Sequence, residues 1–309
     1  MRPRFIFPGF LTCALAVSAL AGDGQELAPV TDNEPVEEPF KFSGEFEIDQ
    51  AFLGNGEVAR GRRTVNDFDE YYSNLLFVYT PRVKYGILRL GAQWERYSFD
   101  FPHGGQQLPN TLQATNTVIG FDTKFSDSIL VRIEAQPGFY GTTFDHLDGD
   151  SFNIPFVLGG TYIFNADFQL VLGVGVNVQS RYPILPGGGI RWRLSRQWVL
   201  NFVLPKPRLE FEAARNLTLY AGGDFKTNSF RVDDQFGNSH ADTALNSAWL
   251  DYEEIRVAGG LEWKLSSSIS FNLEAGYAAY RQFDFHRTEV RYHHESGSPY
   301  GAIMLHGEF

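Results

Sequence analysis

A period-two alternation of apolar and polar residues recurs from Phe42 to the final residue, Phe309. It reads FEIDQAF near the start, LVLGVGV in the middle and FNLEAGYAAY near the end. Successive side chains on a strand point to opposite faces, so this period writes one apolar face and one mixed polar and charged face. The chain is therefore expected to be all-β. A soluble sandwich also alternates, but its strands are short, with turn signals every 8–12 residues. Several segments here run for a dozen residues or more, too long for most sandwich strands. The pattern predicts a transmembrane, antiparallel, up-and-down β-barrel.

The phase of each strand can be written down. Near the start, Phe42, Phe46, Ile48 and Phe52 share a face, opposite Lys41, Ser43, Glu45, Glu47 and Asp49. Further on, Leu88, Leu90, Ala92 and Trp94 oppose Arg89, Gln93 and Glu95, and Ile129, Val131, Ile133 and Ala135 oppose Arg132, Glu134 and Gln136. Phe168 to Val178 and Ile255 to Trp263 repeat the scheme.

Connections alternate in length, as outer-membrane barrels have short periplasmic turns and longer outer loops. Short turns are read near Thr80-Pro81, Phe125–Ser128, Asn165–Asp167, Ser195–Gln197, Ala214–Asn216 and Ser266–Ser268. Longer polar stretches lie between them: Leu53–Glu70, Asp100–Asn110, Gly141–Ser151, Arg181–Pro186, Asp233–Ala248 and Asp284–Pro299. With a tight connection at Pro205-Lys206-Pro207 the count is about 14 strands, an even number that puts both termini on the periplasmic side. The segments between Gly188 and Ala213 are short for a crossing, and if one hairpin there does not cross, the count is about 12. Aromatics at strand ends, among them Tyr71, Tyr72, Trp94, Tyr97, Phe164, Trp192, Trp198, Trp249 and Trp263, suit an interfacial girdle.

The barrel is assigned to residues 40–309. Residues 1–21 read as an export signal. Arg2 and Arg4 form the basic region, Phe5 to Leu20 the apolar core, and Ala19-Leu20-Ala21 a small-x-small site cleaved between Ala21 and Gly22. The only cysteine, Cys13, lies inside this signal, so the mature chain offers no thiol, disulfide or cysteine metal site. Residues 22–39, GDGQELAPVTDNEPVEEP, are acidic and Pro-containing and read as a disordered periplasmic spacer. Losing Arg2 and Arg4 leaves 24 basic against 37 acidic residues, a net charge of −13. That sign disfavours a nucleic-acid partner.

The last strand closes on Phe309, with Ile303, Leu305 and Gly307 at alternate positions. This resembles the C-terminal signal read by the barrel-assembly machinery, although Gly307 departs from the apolar or aromatic residue usual there. The stretches Tyr182-Pro-Ile-Leu-Pro-Gly-Gly-Gly-Ile-Arg-Trp192, Leu204-Pro-Lys-Pro-Arg-Leu209 and Leu219-Tyr-Ala-Gly-Gly-Asp-Phe225 resemble a family of uncharacterised Gram-negative barrel proteins, classed as a domain of unknown function. The resemblance implies a barrel in the outer membrane of a Gram-negative bacterium, in contact with its lipids, and transfers no catalytic or binding residue.

Chemistry is expected on the polar face. Arg89, Glu95, Arg132, Glu134, Arg191, Arg193, Glu210, Glu254, Arg256, Glu262 and Glu274 should point into the lumen, because Arg or Lys facing lipid at midplane costs about 2–4 kcal/mol. Two outcomes follow: a hydrated, mixed-charge pore passing small polar solutes, or an interior of Arg–Glu pairs in a structural or adhesive barrel. About 8 strands leave room only for side chains and 16–18 enclose a channel, so 14 falls between. A membrane lipid hydrolase is a third class. It needs Ser, His and an orienting group converging at the rim, and Gly149-Asp150-Ser151 matches a nucleophile motif in three letters only, without G-x-S-x-G. No catalytic residue, cofactor or metal is assigned. Asp145–Asp150 and His286, His293 and His294 lack the spacing of a known metal site.

Overall fold

The computed structural model describes residues 43–102, 107–143 and 149–309. The signal, its cleavage site at Ala21 and Gly22, and the acidic spacer lie outside the described residues. Fourteen barrel strands follow one another: β1 (Gly44–Arg60), β2 (Arg63–Tyr79), β3 (Gly86–Asp100), β4 (Thr111–Ser126), β5 (Ile129–Ala135 and Gly138–Gly141), β6 (Phe152–Asn153 and Phe156–Ile163), β7 (Phe168–Val176), β8 (Ile184–Arg193), β9 (Trp198–Val203), β10 (Arg208–Ala214), β11 (Leu217–Arg231), β12 (Trp249–Lys264), β13 (Ile269–Phe285) and β14 (Val290–Ser296 and Ser298–Glu308). A two-residue strand, Arg82–Val83, sits in the β2–β3 turn.

Every strand pairs antiparallel with its sequence neighbour, and β1 pairs with β14 from Glu45↔Glu308 to Leu53↔Tyr300. The sheet is thus closed and has no full-length edge, which removes the backbone groups that lipid cannot satisfy. Both ends of the barrel chain lie at the short-turn end. The in-membrane phase follows the alternation: Ile48, Leu75, Leu90, Ile133 and Val257 are exposed on the outside, while Asp49, Asn74, Arg89 and Glu134 are buried inside.

The structure corrects two of the long loops. Leu53–Glu70 is mostly strand, with a turn of two residues, Gly61-Arg62, between β1 and β2. Asp284–Pro299 is likewise strand apart from a short turn at 286–289 and Gly297. Their polar residues belong to an outward face in water rather than to a loop. Beyond the membrane belt the polarity inverts, and Leu53, Val58, Phe68, Val290 and Tyr292 turn inward and are buried.

The wall is uneven. β1, β2 and β13 have 17 residues each, which at ~3.3 Å per residue is roughly 55 Å. β7, β8, β9 and β10 have 9, 10, 6 and 7 residues. The short β9–β10 hairpin is nevertheless in the ladder, paired to β8 and β11, so the count is 14 and not 12. At the long-loop end the tall strands close over the short ones. Arg231 of β11 bridges Gly141 of β5, Thr142 donates to Asp233 at 2.6 Å, and Arg231 pairs with Asp150 at 3.2 Å.

The triple glycine 187–189 reflects close backbone approach. A Cβ on Gly189 would run into the Phe202 carbonyl oxygen, and one on Gly188 into that of Val171. Gly307 has a similar cause. It pairs with Phe46, whose ring occupies the space a Cβ at 307 would need.

Candidate functional site

The interior divides into four levels. Nearest the short-turn end is a layer of ion pairs, set by inward-facing charges that have no lipid-compatible alternative. Arg89 grips Glu45 with both terminal nitrogens, at 2.7 and 3.0 Å, and Glu134 with Nε at 3.1 Å. Arg132 holds Asp122 bidentately at 2.6 and 2.6 Å. Across the barrel Arg208 donates to Glu274 at 3.1 Å, and Tyr220 and Tyr300 donate to the same carboxylate at 2.8 and 3.1 Å. Asn201 donates to Glu210 at 3.2 Å, and Arg193 pairs with Glu212 at 3.1 Å where both are partly exposed. Arg191 and Glu262 are half-buried on β8 and β12.

Above this layer lies a cavity of about 180 Å³. A run of amides crosses its wall from strand to strand: Asn74 donates to Glu47 at 3.1 Å, Gln93 to Asn74 at 2.8 Å, and Asn116 to Gln93 at 3.3 Å. Opposite, Lys226 lies 3.8 Å from Asp49 and 3.9 Å from Asp224, with its ammonium 3.2 Å from the Tyr72 ring centroid. Lys206, at the tip of the β9–β10 hairpin, also lines the cavity. A void of about 10 Å³ shares Asp49, Lys206 and Asp224 and continues toward the short-turn end past Arg208, Asn272 and Glu274.

The third level closes the chamber. Tyr72 and Tyr97 donate to one Glu95 oxygen at 3.1 and 2.9 Å, and Asn228 donates to the other at 3.0 Å. Beside them four buried charges form a quartet. Arg256 holds Glu254 at 2.6 Å and approaches Glu70 at 3.6 Å; Arg281 approaches Glu70 at 3.3 Å and Glu254 at 3.5 Å. The Tyr252 hydroxyl donates to Glu70 at 2.6 Å and lies 3.1 Å from Glu254.

The fourth level is an apolar core inside the barrel. Phe68, Phe99, Tyr252 and Phe283 pack with ring centroids 4.9–6.4 Å apart. The 232–248 connection folds into it, delivering Phe236 from a one-turn helix (Phe236–Ser239) and Leu245 from a 3-10 turn. The long-loop half of the lumen is therefore filled.

Of the charges expected inside, Arg89, Glu134, Glu254 and Arg256 are deeply buried, and Glu95 and Glu274 anchor hydrogen-bond clusters. Asn74, Asn116, Lys226, Glu70 and Arg281 share the inward phase and extend the site beyond the residues singled out by sequence. Lys206 carried no such signal, since a lysine between two prolines reads as an exposed turn. The aromatic girdle needs correction. Tyr71, Phe164, Trp192, Trp198 and Trp263 are exposed on the outer face, but Tyr72 and Tyr97 are buried inside, and Trp249 is buried as well. Neighbours Tyr71 and Tyr72 cannot face the same way on a strand.

His286 is buried 3.8 Å from Asp251. Burial holds its imidazole below the ordinary histidine pKa. Ser180 and Ser229 donate to Asp251, at 3.2 and 2.5 Å, and neither ring nitrogen of His286 has a hydrogen-bond partner. No serine–histidine pair is formed there. Among the described residues no group of three or more His, Cys, Asp or Glu is placed to hold a metal ion. Most of the Asp145–Asp150 segment lies outside the described residues.

No curated protein matches the chain. Among solved structures, the COG4313 outer membrane channel from Pseudomonas putida F1 is 6% identical, covering 90% of this chain and 100% of its own, with a TM-score of 0.49. The Pseudomonas putida toluene transporter TodX is 10% identical over 88% and 90%, with a TM-score of 0.42, and the KdgM porin 11% over 85% and 99%, with a TM-score of 0.35. At such identities no functional residue can be carried across. The sequence itself matches the model of one family over residues 106–301, well over half its length, and the chain belongs to that family, described as Domain of unknown function (DUF6268).

Proposed function

We propose that this protein is a porin-like passive channel for small polar solutes in the outer membrane of a Gram-negative bacterium. In this reading residues 1–21 are removed between Ala21 and Gly22, residues 22–39 are a periplasmic spacer, and both termini of the barrel are periplasmic. Phe309 is the mark read by the assembly machinery; its backbone exchanges hydrogen bonds with Gly44 at 2.9 and 3.2 Å across the closing seam. The observation that carries the reading is the mid-barrel chamber. Its amides, tyrosine hydroxyls, carboxylates and two lysines offer hydrogen bonds to a solute that has left water, as channel linings do. The lumen-facing charges Arg89, Glu95, Arg132, Glu134, Arg191, Arg193, Glu254, Arg256, Glu262 and Glu274 would set selectivity along the lumen.

A second reading, a structural or adhesive barrel with a closed lumen, is favoured by the aromatic core that fills the long-loop half. Conductance in a planar bilayer separates the two. The channel reading expects small, reproducible single-channel steps that change when Lys206 is replaced by Gln. No steady conductance from a heat-modifiable, folded barrel would overturn it.

A further inference from the structure

We propose that the chamber is reached sideways, through a gap in the barrel wall, by small amphiphiles with a neutral, hydrogen-bonding polar end and an apolar tail. The inference rests on the channel reading and names the class of molecule and its route.

The gap follows from strand lengths. The β8–β9 ladder runs only from Gly189 to Arg193 and Gly188 still accepts from the Leu204 N–H at 3.2 Å, so Ile184–Gly187 continues upward bound to β7 alone. β11 pairs with β10 only as far as Gly222, and beyond the hairpin-tip bonds at Gly223 and Phe225 the stretch from Lys226 to Phe230 is laddered to β12 alone, before Arg231 meets Gly141 of β5. Among the described residues no ladder joins these two upper edges. The tip of the β9–β10 hairpin forms the sill, tied to β11 by Gly223 N–H to Pro207 and Phe225 N–H to Pro205, at 2.9 and 3.0 Å. The 177–183 connection forms the lintel. Asn177 donates to Ser229 at 3.3 Å, the Arg181 N–H donates to Asp251 at 2.7 Å, and the Arg181 guanidinium pairs with Asp284 at 2.5 Å.

The chamber reaches into this gap. Its lining includes Leu185 from the β8 edge and Phe225 and Thr227 from the β11 edge. Phe225 and Thr227 have the outward phase of β11, the phase of the exposed Leu219, whereas Asp224, Lys226 and Asn228 face the lumen. The cavity lining thus takes in the free upper edges of both β8 and β11. The surroundings outside are apolar: Ile184 and Phe202 are 66% and 59% exposed. Inside, Lys206 and Lys226 are outnumbered by Glu47, Asp49, Glu95 and Asp224, and the Asn74–Gln93–Asn116 amides between them form a recognition surface suited to hydroxyls rather than to an anion. Among the described residues the long-loop end offers no comparable route, because the aromatic core fills it.

The test uses Asn228→Cys in the full chain carrying Cys13→Ser, reconstituted in vesicles and labelled with a water-soluble methanethiosulfonate. Hexyl glucoside, present near saturation, is expected to slow labelling about tenfold, whereas glucose at the same concentration leaves the rate within about twofold. Leu185→Trp, and independently Thr227→Trp if the first fails to fold, should remove the protection by hexyl glucoside while the introduced thiol still labels. Equal protection by both sugars, or protection that survives both tryptophans, would overturn the lateral route and leave a channel filled from water. An introduced thiol that never labels without sugar would overturn the channel reading and this route together.

Discussion

The Glu70–Glu254–Arg256–Arg281 quartet lets the cost of an unbalanced charge be read directly. All four side chains are at most 2% exposed and their formal charges sum to zero. Arg281→Met removes one cation and leaves Glu70 and Glu254 facing each other with Arg256 as their shared partner. Breaking one member of a buried pair costs about 3–5 kcal/mol because the remaining charge stays desolvated. Glu70→Gln unbalances the set in the opposite sense and should cost a similar amount. The double variant Glu70→Gln/Arg281→Met restores neutrality, with Arg256 and Glu254 still in contact at 2.6 Å. It should lose less than either single variant, because exchanging a whole buried pair for neutral groups is often nearly neutral. Urea titration in lipid vesicles, read as the heat-modifiable folded fraction on a gel, gives the three free energies. A double variant as unstable as the sum of the singles would refute charge balance as the reason the quartet holds. A loss under about 1 kcal/mol for Arg281→Met would mean that water reaches the site.

Depth along β12 can be measured with arginine. Val257→Arg, at a lipid-facing position 54% exposed, should cost about 2–4 kcal/mol, while Leu261→Arg, one repeat from the girdle residue Trp263, should cost less; a reversed order in the same titration would move the membrane along the barrel. Gly189→Ala should lose about 1–3 kcal/mol by pushing β8 from β9, and wild-type stability would show that the Phe202 carbonyl yields freely. Gly307→Phe should lower folded yield by displacing the Phe46 ring, and Phe46→Ala should restore it; no rescue would put the defect elsewhere. Removing Phe309 should reduce surface levels in cells, measured by accessibility to external protease, and unchanged levels would dissociate it from assembly.

The in-membrane part of the fold was legible because lipid leaves few choices. Arg89 and Glu134 had to face inward, Leu90 and Ile133 outward, and the short turns fell where the alternation broke. The β9–β10 hairpin was ambiguous from its length, since 6 and 7 residues are short for a crossing. Pairing decided it: the hairpin joins the wall but stops partway. What could not be read was the outer half. Once a strand leaves the bilayer its outward face must suit water, so Asn55, Arg63 and Asp67 resemble loop residues although they lie on β1 and β2. The inward partners Leu53, Val58 and Phe68 then follow the rule of a soluble core. The amide run was hidden for another reason. Asn74, Gln93 and Asn116 lie on three strands, and only the register brings them together.

The inversion also explains where the chamber sits. Inside the membrane belt the lumen is polar, and its fourteen-strand girth is too wide for the side chains to fill. Beyond the belt the lumen is apolar, and contact between β5 and β11 excludes the short strands β7–β10 from the upper cylinder. A narrow apolar barrel therefore stands on a wide polar one, and the two cannot be joined without a step in the wall. The step falls where β7–β10 end, at the level of Asn177, Leu185 and Lys206, and these residues line the cavity. Chamber and wall gap thus have a single cause, the shortness of four consecutive strands. Lengthening the β9–β10 hairpin to match its neighbours should remove both at once.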